Sequence, residues 1–288
     1  MSEIKSKSAM FFQIAVGTVF IMISVITIIP ILRVISISLS SKTAILSGQV
    51  WIFPVQFTAE AYQRAFGNSN FTNSFIYSIF ITAAYTCICM IMTILAAYPL
   101  SKPGLKEKKI IMTLFVLTMY FDPGTIPNYL NVKSFGFIDT VWALLIPGAL
   151  STYNLIIMRS FFIGIDRSLY ESAYMDGCTE FKALLKIALP LAVPAVATLS
   201  LFYAVSRWNG VSDVLYYINR TGLYTVQMML KQMIDSVRIS LQEGTSSQLI
   251  ADNIKAASIV ISMTPMLIAY PFIQRYFTKG IMLGAVKG

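Results

Sequence analysis

Polar residues able to do work gather in one stretch of this 288-residue chain, SLYESAYMDGCTEFKALLKIALPLAVP, from Ser168 to Pro194. Ser168-Leu169-Tyr170-Glu171 reads as a capping box, the serine hydroxyl accepting from an amide three residues on while Glu171 reaches back. A short helix follows, with Leu169, Tyr170, Ala173 and Tyr174 on one face. Gly177 supplies the positive φ that ends many helices, and Thr179 caps a second helix that climbs through Lys182 and Lys186. Pro190 and Pro194 then each remove an intrahelical bond and bend the entry into an apolar run. Such an arrangement makes a rigid polar elbow, suited to docking and to passing force. The plainer alternative is that Glu171 caps, Asp176 and Glu180 are solvated, and Gly177 terminates a helix.

Catalytic chemistry finds little support. The chain has no histidine and three cysteines. Cys87 and Cys89 fall inside an apolar run and Cys178 in the elbow, so no disulfide framework is implied. No Cys, Asp and Glu cluster at ligand spacing, and no nucleophile is paired with a base, so neither a metal site nor an active site is expected. No GxxxxGK[ST] occurs, so no phosphate-cradling loop is present and ATP hydrolysis, if used, belongs to partners.

Composition indicates what positions the elbow. The chain is 56% hydrophobic and 12% charged, with a mean hydropathy of +0.70, which marks an integral membrane protein. Uncharged runs lie between Lys7 and Arg33, between Arg64 and Lys102, and over 140–158, 187–206 and 256–274. Each is near the roughly 20 residues a spanning helix needs. A sixth run, Ile110 to Phe121, meets Asp122-Pro123-Gly124; we expect it to continue to about Tyr129, leaving Asp122 near an interface, the alternative being a discontinuous helix. The first run, preceded by Lys5 and Lys7, is longer than a secretory core and reads as a retained span. The expectation is an all-α integral membrane protein, one membrane domain over 1–288. Its six transmembrane helices fall at about 9–32, 75–100, 110–129, 140–160, 186–207 and 256–274, with a cytoplasmic loop at 160–186.

Loop charge sets the expected orientation. With six spans, thirteen of the 22 Lys and Arg fall on the side of the termini, in short loops, so both termini are expected in the cytoplasm. The net charge of +9 is then a topology signal and needs no nucleic-acid partner. Outside, WIFPVQFTAEAYQRAF reads as a strap and short amphipathic helix with Thr58 as its cap. TVQMMLKQMIDSV, with apolar Val226, Met229, Leu230, Met233, Ile234 and Val237, reads as another helix.

One pattern is specific. Glu171-Ser172-Ala173, three residues, Gly177, nine residues, Ile187, one residue, Leu189-Pro190 resembles the EAA motif of permease subunits in binding-protein-dependent ABC importers, with Ser172 where the second alanine is usual. IPNYLNVKSFGFIDTVWALLIP, LIIMRSFF and YPFIQRYFTKGIMLGAVKG extend the resemblance to the carbohydrate-type branch. There it is close to the second subunit of maltose permeases and closer to LplC/YtcP-like oligosaccharide permeases. The resemblance implies the type I ABC importer permease fold in a bacterial cell membrane. It implies a coupling helix carrying Glu171, Ser172, Ala173, Asp176 and Gly177, linked through Leu189 and Pro190 and docked on a cytoplasmic ATPase. It further implies a C-terminal tail, Gly284, Val286, Lys287 and Gly288, reaching the ATPase pair. Expected partners are a distinct second permease, two ATPase subunits holding ATP and magnesium, an extracellular solute-binding protein, an oligosaccharide and membrane lipid. This chain itself is expected to hold no cofactor.

Two rivals fare worse. An ion-coupled carrier usually needs ionisable groups at mid-membrane, and Arg33, Asp122 and Arg207 map near run ends. A membrane-embedded enzyme would need paired acid and base groups. Sugars bind aromatic faces and polar side chains, so Tyr120, Tyr129, Tyr153, Tyr203 and Asn209 are candidates for a substrate path. Interface belts and helix packing explain tyrosines equally well.

Overall fold

The structure, a computed structural model, describes residues 7–242 and 252–285. The described chain is helical, with one isolated bridge between Ser40 and Phe57. It divides into two compact units, Met1–Thr72 with Leu230–Met263, and Asn73–Met229 with Thr264–Gly288.

In the first unit, α1 (Lys7–Ser38) leads through α2 (Lys42–Leu46) and a strap to α3 (Glu60–Gly67). Ser40 holds the strap: its hydroxyl donates to the Ser36 carbonyl at 2.6 Å and accepts from the Val55 amide at 3.0 Å. Ser38 meets the Tyr62 hydroxyl at 2.8 Å. The expected strap and helix are present. Thr58 accepts from the Glu60 amide at 3.2 Å, but the cap position itself is Ala59.

The second unit begins within α4 (Ser69–Ser101). It continues through α5 (Lys108–Tyr120), α6 (Thr125–Ser134), α7 (Trp142–Leu145) and α8 (Thr152–Ile163). The elbow helices are α9 (Arg167–Met175) and α10 (Glu180–Ala183), followed by a π-helical turn at Leu184–Ala188 and α11 (Leu189–Leu191). Then come α12 (Val193–Asn209), α13 (Ser212–Tyr217) and a 3₁₀ turn at Thr221–Leu223; α14 (Val226–Gln242) and α15 (Asp252–Ala285) are each divided between the two units. Leu155, Met158, Ala188 and Leu199 are fully buried in one core cluster; Ile81, Leu144 and Val214 anchor another. The Val226 amide donates to Ser78 at 2.7 Å, and Met228 joins the second core.

Among the described residues three helical stretches are long and apolar enough to cross a membrane: Phe12–Ser38, Ser69–Ser101 and Asp252–Pro271. A fourth is made by Glu180–Leu191 with Val193–Asn209, bent by 82°. The third and fourth expected runs are not continuous helices. The run expected to be continuous over 110–129 stops at Tyr120, because Phe121 turns extended and Gly124 takes φ 83° with its amide on the Asp122 carboxylate at 3.0 Å. At ~1.5 Å per residue, α5 alone is too short for a ~30 Å core. The run expected over 140–160 breaks at Pro147-Gly148, where Gly148 has φ 74°, and resumes as α8.

The charged group near the end of α12 is buried. Arg207 is 6% exposed and its guanidinium pairs with both carboxylate oxygens of Asp213 while donating to the Leu144 carbonyl at 3.4 Å. Gly210 lies so close that an added Cβ would meet the Arg207 guanidinium at 2.8 Å. Asp139, at φ 60°, binds the neighbouring loop: its carboxylate accepts from the Asn219 and Arg220 amides at 3.0 and 2.9 Å and from Arg220 Nε at 2.9 Å.

Removing one partner of a buried ion pair strands the other charge, at about 3–5 kcal/mol. Asp213→Ala should therefore lower the unfolding temperature of the detergent-purified protein sharply, and combining Arg207→Met with Asp213→Leu should recover most of it. Asp139 is half-buried, and the Arg220 amide, with lesser help from the Asn219 amide and the Arg220 charge, holds its carboxyl below the usual range. Its stabilisation is present above the unfolded-state carboxylate value and is lost as pH falls through the depressed folded value. Asp139→Asn should flatten that acid limb in a melting-temperature series against pH.

Candidate functional site

The elbow has the expected shape with one change at its start. Asp166 is the cap of α9, its carboxylate accepting from the Ser168 amide at 3.0 Å. Ser168 is thus inside the helix, and the capping box with Glu171 does not form. The carboxylate wins because it is a charged acceptor placed at the positive helix end. Glu171 is left exposed, and so are Ser172, Asp176 and Gly177, with Met175 87% exposed beside them.

Gly177 ends the helix as expected, at φ 76°. Its amide donates to the Tyr174 carbonyl at 3.0 Å and the Cys178 amide to the Ala173 carbonyl at 2.9 Å, the paired bonds of a Schellman turn. Thr179 caps α10 as expected, accepting from the Lys182 amide at 3.4 Å. Two residues past the turn the chain is already helical again.

The elbow is fastened from behind. Lys102, just past α4, places its ammonium 3.5 Å from the Tyr170 ring centroid, 4.5 Å from that of Tyr98 and 5.6 Å from that of Tyr174. The same ammonium donates to the Tyr174 hydroxyl at 3.0 Å and lies 3.6 Å from the Glu180 carboxylate. Tyr98 donates to that carboxylate at 3.1 Å. Desolvation pulls the Lys102 ammonium below its ordinary value, against the pull of Glu180, and the Tyr174 phenol is pushed up to about 12 by burial and by Glu180. Arg159 adds a bond from Nε to the Leu100 carbonyl at 2.9 Å, satisfying the carboxyl end of α4. A cavity of about 580 Å³ between these elements is lined by Lys102, Arg167, Tyr170, Glu171 and Glu180 among others.

Beyond the elbow, Pro190 and Pro194 do what proline must. The Leu189 amide reaches back five residues to the Leu184 carbonyl, giving the π-helical turn, and the chain bends at Ala192. Leu189 is half-buried and Pro190 exposed.

Of the five residues suggested for a substrate path, two come together. Tyr153 and Tyr203 line a cavity of about 500 Å³ with Tyr85, Gly148, Ser151, Asn154, Phe202 and Ser206. Tyr203 is buried, its hydroxyl meeting Thr93 at 2.7 Å and accepting from the Ser151 amide at 3.1 Å. Tyr120 is 79% exposed at the end of α5, Tyr129 stacks on Tyr217, and Asn209 donates to the Val205 carbonyl of its own helix; none of them lines this cavity. Gly284 lies in α15, while Val286, Lys287 and Gly288 lie outside the described residues. Sequence reasoning missed Tyr85, Asn154, Ser206 and Lys102. A polar Asn three residues after Ser151 inside an apolar run was a usable signal; the lysine cage had none, because its members are 72 residues apart. Among the described residues no group of His, Cys, Asp and Glu is placed to hold a metal.

The family model for binding-protein-dependent transport system inner membrane components matches residues 108–283, which include the elbow. Protein LplC of Bacillus subtilis (strain 168) is 40% identical over 269 residues, 92% of this chain and 91% of that protein. The polygalacturonan/rhamnogalacturonan transport system permease protein YtcP of the same organism is 37% identical over 281 residues, 96% of this chain and 98% of its own length. A chain in the crystal structure of a bacterial ABC transporter involved in the import of the acidic polysaccharide alginate superposes with a TM-score of 0.87 at 31% identity, covering 96% of this chain and 100% of that one. An exposed, glycine-ended elbow seated on a helical membrane unit, within a match of this extent, means that the chain belongs to the binding-protein-dependent transport system inner membrane component family, the permeases of ABC importers.

Proposed function

We propose that this permease works as one transmembrane subunit of an ATP-driven importer of oligosaccharides, with α9 as the helix that couples it to a cytoplasmic ATPase. The observation that carries the proposal is the elbow itself. Glu171, Ser172, Met175, Asp176 and Gly177 stand exposed at its tip, while Lys102 and three tyrosine rings fix its base. Such a tip offers carboxylates and a bare backbone turn to a partner, and its base resists being pulled away. Leu189 and Pro190 then hand any displacement to α12 through the bend.

ATP and magnesium belong in this proposal to two partner ATPase subunits, and ATP hydrolysis is theirs. A second permease, distinct from this chain, forms the other wall of the path, and an extracellular solute-binding protein delivers the saccharide. Both termini face the cytoplasm, as the Lys and Arg count favours, so that Gly284, Val286, Lys287 and Gly288 approach the ATPase pair. Saccharide as cargo is supported by the relatives' names and by the cavity that joins Tyr153, Tyr203 and Asn154.

The test is uptake into vesicles containing the complex co-purified from the native membrane. Accumulation of labelled oligosaccharide should require ATP and the ATPase subunits; uptake driven by an ion gradient without them would overturn the proposal. Gly177→Val forces a β-branched residue into the left-handed region, at about 1–2 kcal/mol, and reshapes the turn. It should cut uptake and saccharide-stimulated ATP hydrolysis at least about tenfold while the protein still inserts and co-purifies with its permease partner. Normal uptake by that variant would refute the coupling role of the elbow.

A further inference from the structure

We infer that a cavity in the first unit, at the end of α1 away from Phe12, is a headgroup site for a phospholipid with an anionic phosphodiester head. Its walls come from three stretches: Arg33 and Ile37 on α1, Val50 and Trp51 on the strap, and Asp252 and Lys255 on α15, around a volume of about 420 Å³. Arg33 and Ile37 are four residues apart and so share one face of α1. The strap is pinned at that end of the helix, where the Ser36 hydroxyl donates to the Ile52 carbonyl and the Thr58 amide to the Leu39 carbonyl at 3.0 Å. The site shares no residue with the elbow or with the cavity of Tyr153 and Tyr203, so it stands or falls apart from the coupling and cargo readings.

Depth in the bilayer points to a lipid. The 27 residues of the span Phe12–Ser38 cover roughly 40 Å at ~1.5 Å per residue, a whole bilayer with its headgroups. Arg33 lies five residues before the end of that span, and Lys255 three residues after the start of the span Asp252–Pro271. Both cations are therefore roughly 5–8 Å inside the helix ends, where the headgroup layer meets the hydrocarbon core. None of the apolar window of α1 is buried within this chain, so the cavity adjoins a bare apolar helix along which acyl chains fit. Trp51, 70% exposed, is the residue type that settles at this level, and its indole N–H meets no acceptor among the described residues.

Charge decides which lipid. Arg33 is exposed and makes no hydrogen bond or ion pair among the described residues. Lys255, its side chain 13% exposed, is paired with Asp252 at 2.9 Å. Two cations against one carboxylate leave one positive charge in excess, and a phosphodiester carries one negative charge. Its two unesterified oxygens accept and donate nothing, which suits the planar fork of an arginine. The rest of the head must then satisfy Asp252. A choline head brings a further cation beside Arg33 and Lys255 and has no donor for the carboxylate, whereas the hydroxyls of a glycerol head are neutral and donate to it. The site thus favours phosphatidylglycerol over phosphatidylcholine. A soluble phosphate would match the charge and leave Ile37 and Val50 uncovered.

The test uses the complex co-purified from the native membrane, stripped of lipid in mild detergent and titrated with phosphatidylglycerol, phosphatidylcholine or glycerol 3-phosphate, bound molecules being counted by native mass spectrometry. Phosphatidylglycerol should bind one site per copy of this chain at least about fivefold tighter than phosphatidylcholine, the scale of one basic residue at an anionic membrane surface. Arg33→Gln should abolish that preference and lower the count of retained phosphatidylglycerol by one, and Arg33→Lys should restore most of it. Lys255→Gln should weaken the same site, and glycerol 3-phosphate should displace nothing. Equal binding of the two lipids, or a count unchanged in both Arg33→Gln and Lys255→Gln, would overturn the site. Displacement of the lipid by glycerol 3-phosphate would make it a site for soluble anions and overturn the lipid assignment. The permease role is tested separately by vesicle uptake and is untouched by any of these results.

Discussion

Backbone groups in an apolar setting must be paired, and this chain repeatedly places proline where pairing is broken. Three such breaks end or bend helices. Pro123 with Gly124 stops α5, Pro147 with Gly148 stops α7, and Pro190 with Pro194 bends the path into α12 by 82°. An unsatisfied backbone group in hydrocarbon costs several kcal/mol, so such breaks persist where other protein groups or a cavity take up the freed partners. Here Asp122 takes the Gly124 amide, Tyr85 takes the Gly148 carbonyl, and a π-helical turn takes the strain ahead of Pro190.

The second requirement is stiffness at the elbow. In the proposed coupling role, a helix that hinged freely would absorb a partner's movement before it reached the membrane. Lys102 prevents this by touching α9 through Tyr170 and Tyr174, α10 through Glu180 and α4 through Tyr98 at once. Cation–π contacts are each worth about 0.5–2 kcal/mol, and the shared ammonium makes them interdependent. The Schellman turn at Gly177 sets the angle between α9 and α10, and the cage holds that angle against α4. The elbow tip stays polar and exposed because none of the cage residues is drawn from it.

Local chemistry was legible in the sequence wherever it depended on near neighbours. Gly177 at positive φ, Thr179 as a cap, the proline bend and the strap before α3 all follow from residues within a few positions of one another. The capping box failed for a related reason: Asp166, two residues ahead of Ser168, competes for the same helix end and carries a charge that serine lacks. Continuity of the fourth run was misjudged because hydropathy registers burial in lipid or protein alike and says nothing of the Pro147-Gly148 break, while at Asp122-Pro123-Gly124 the break was visible and the discontinuous alternative is the one found. Distant pairings such as Lys102 with Tyr170, Tyr85 with Gly148, or Arg207 with the Leu144 carbonyl left no periodic trace. The residues suggested for a substrate path show the limit well, since four of the five are tyrosines and only Tyr153 and Tyr203 share a cavity.

Arg207 and Tyr203 show how one helix serves two purposes. Both lie on α12, four residues apart and therefore on one face, and both are buried. Tyr203 braces the start of α8 through Ser151, and Arg207 braces α7 through the Leu144 carbonyl while its charge is cancelled by Asp213. The two ends of the Pro147-Gly148 break are thus gripped from the same helix face. Because α12 is also the helix that the proline bend joins to the elbow, a rotation of α12 would carry both grips with it. The break between α7 and α8, and the cavity it opens, would then change shape together with the elbow, without any element lying between them having to deform.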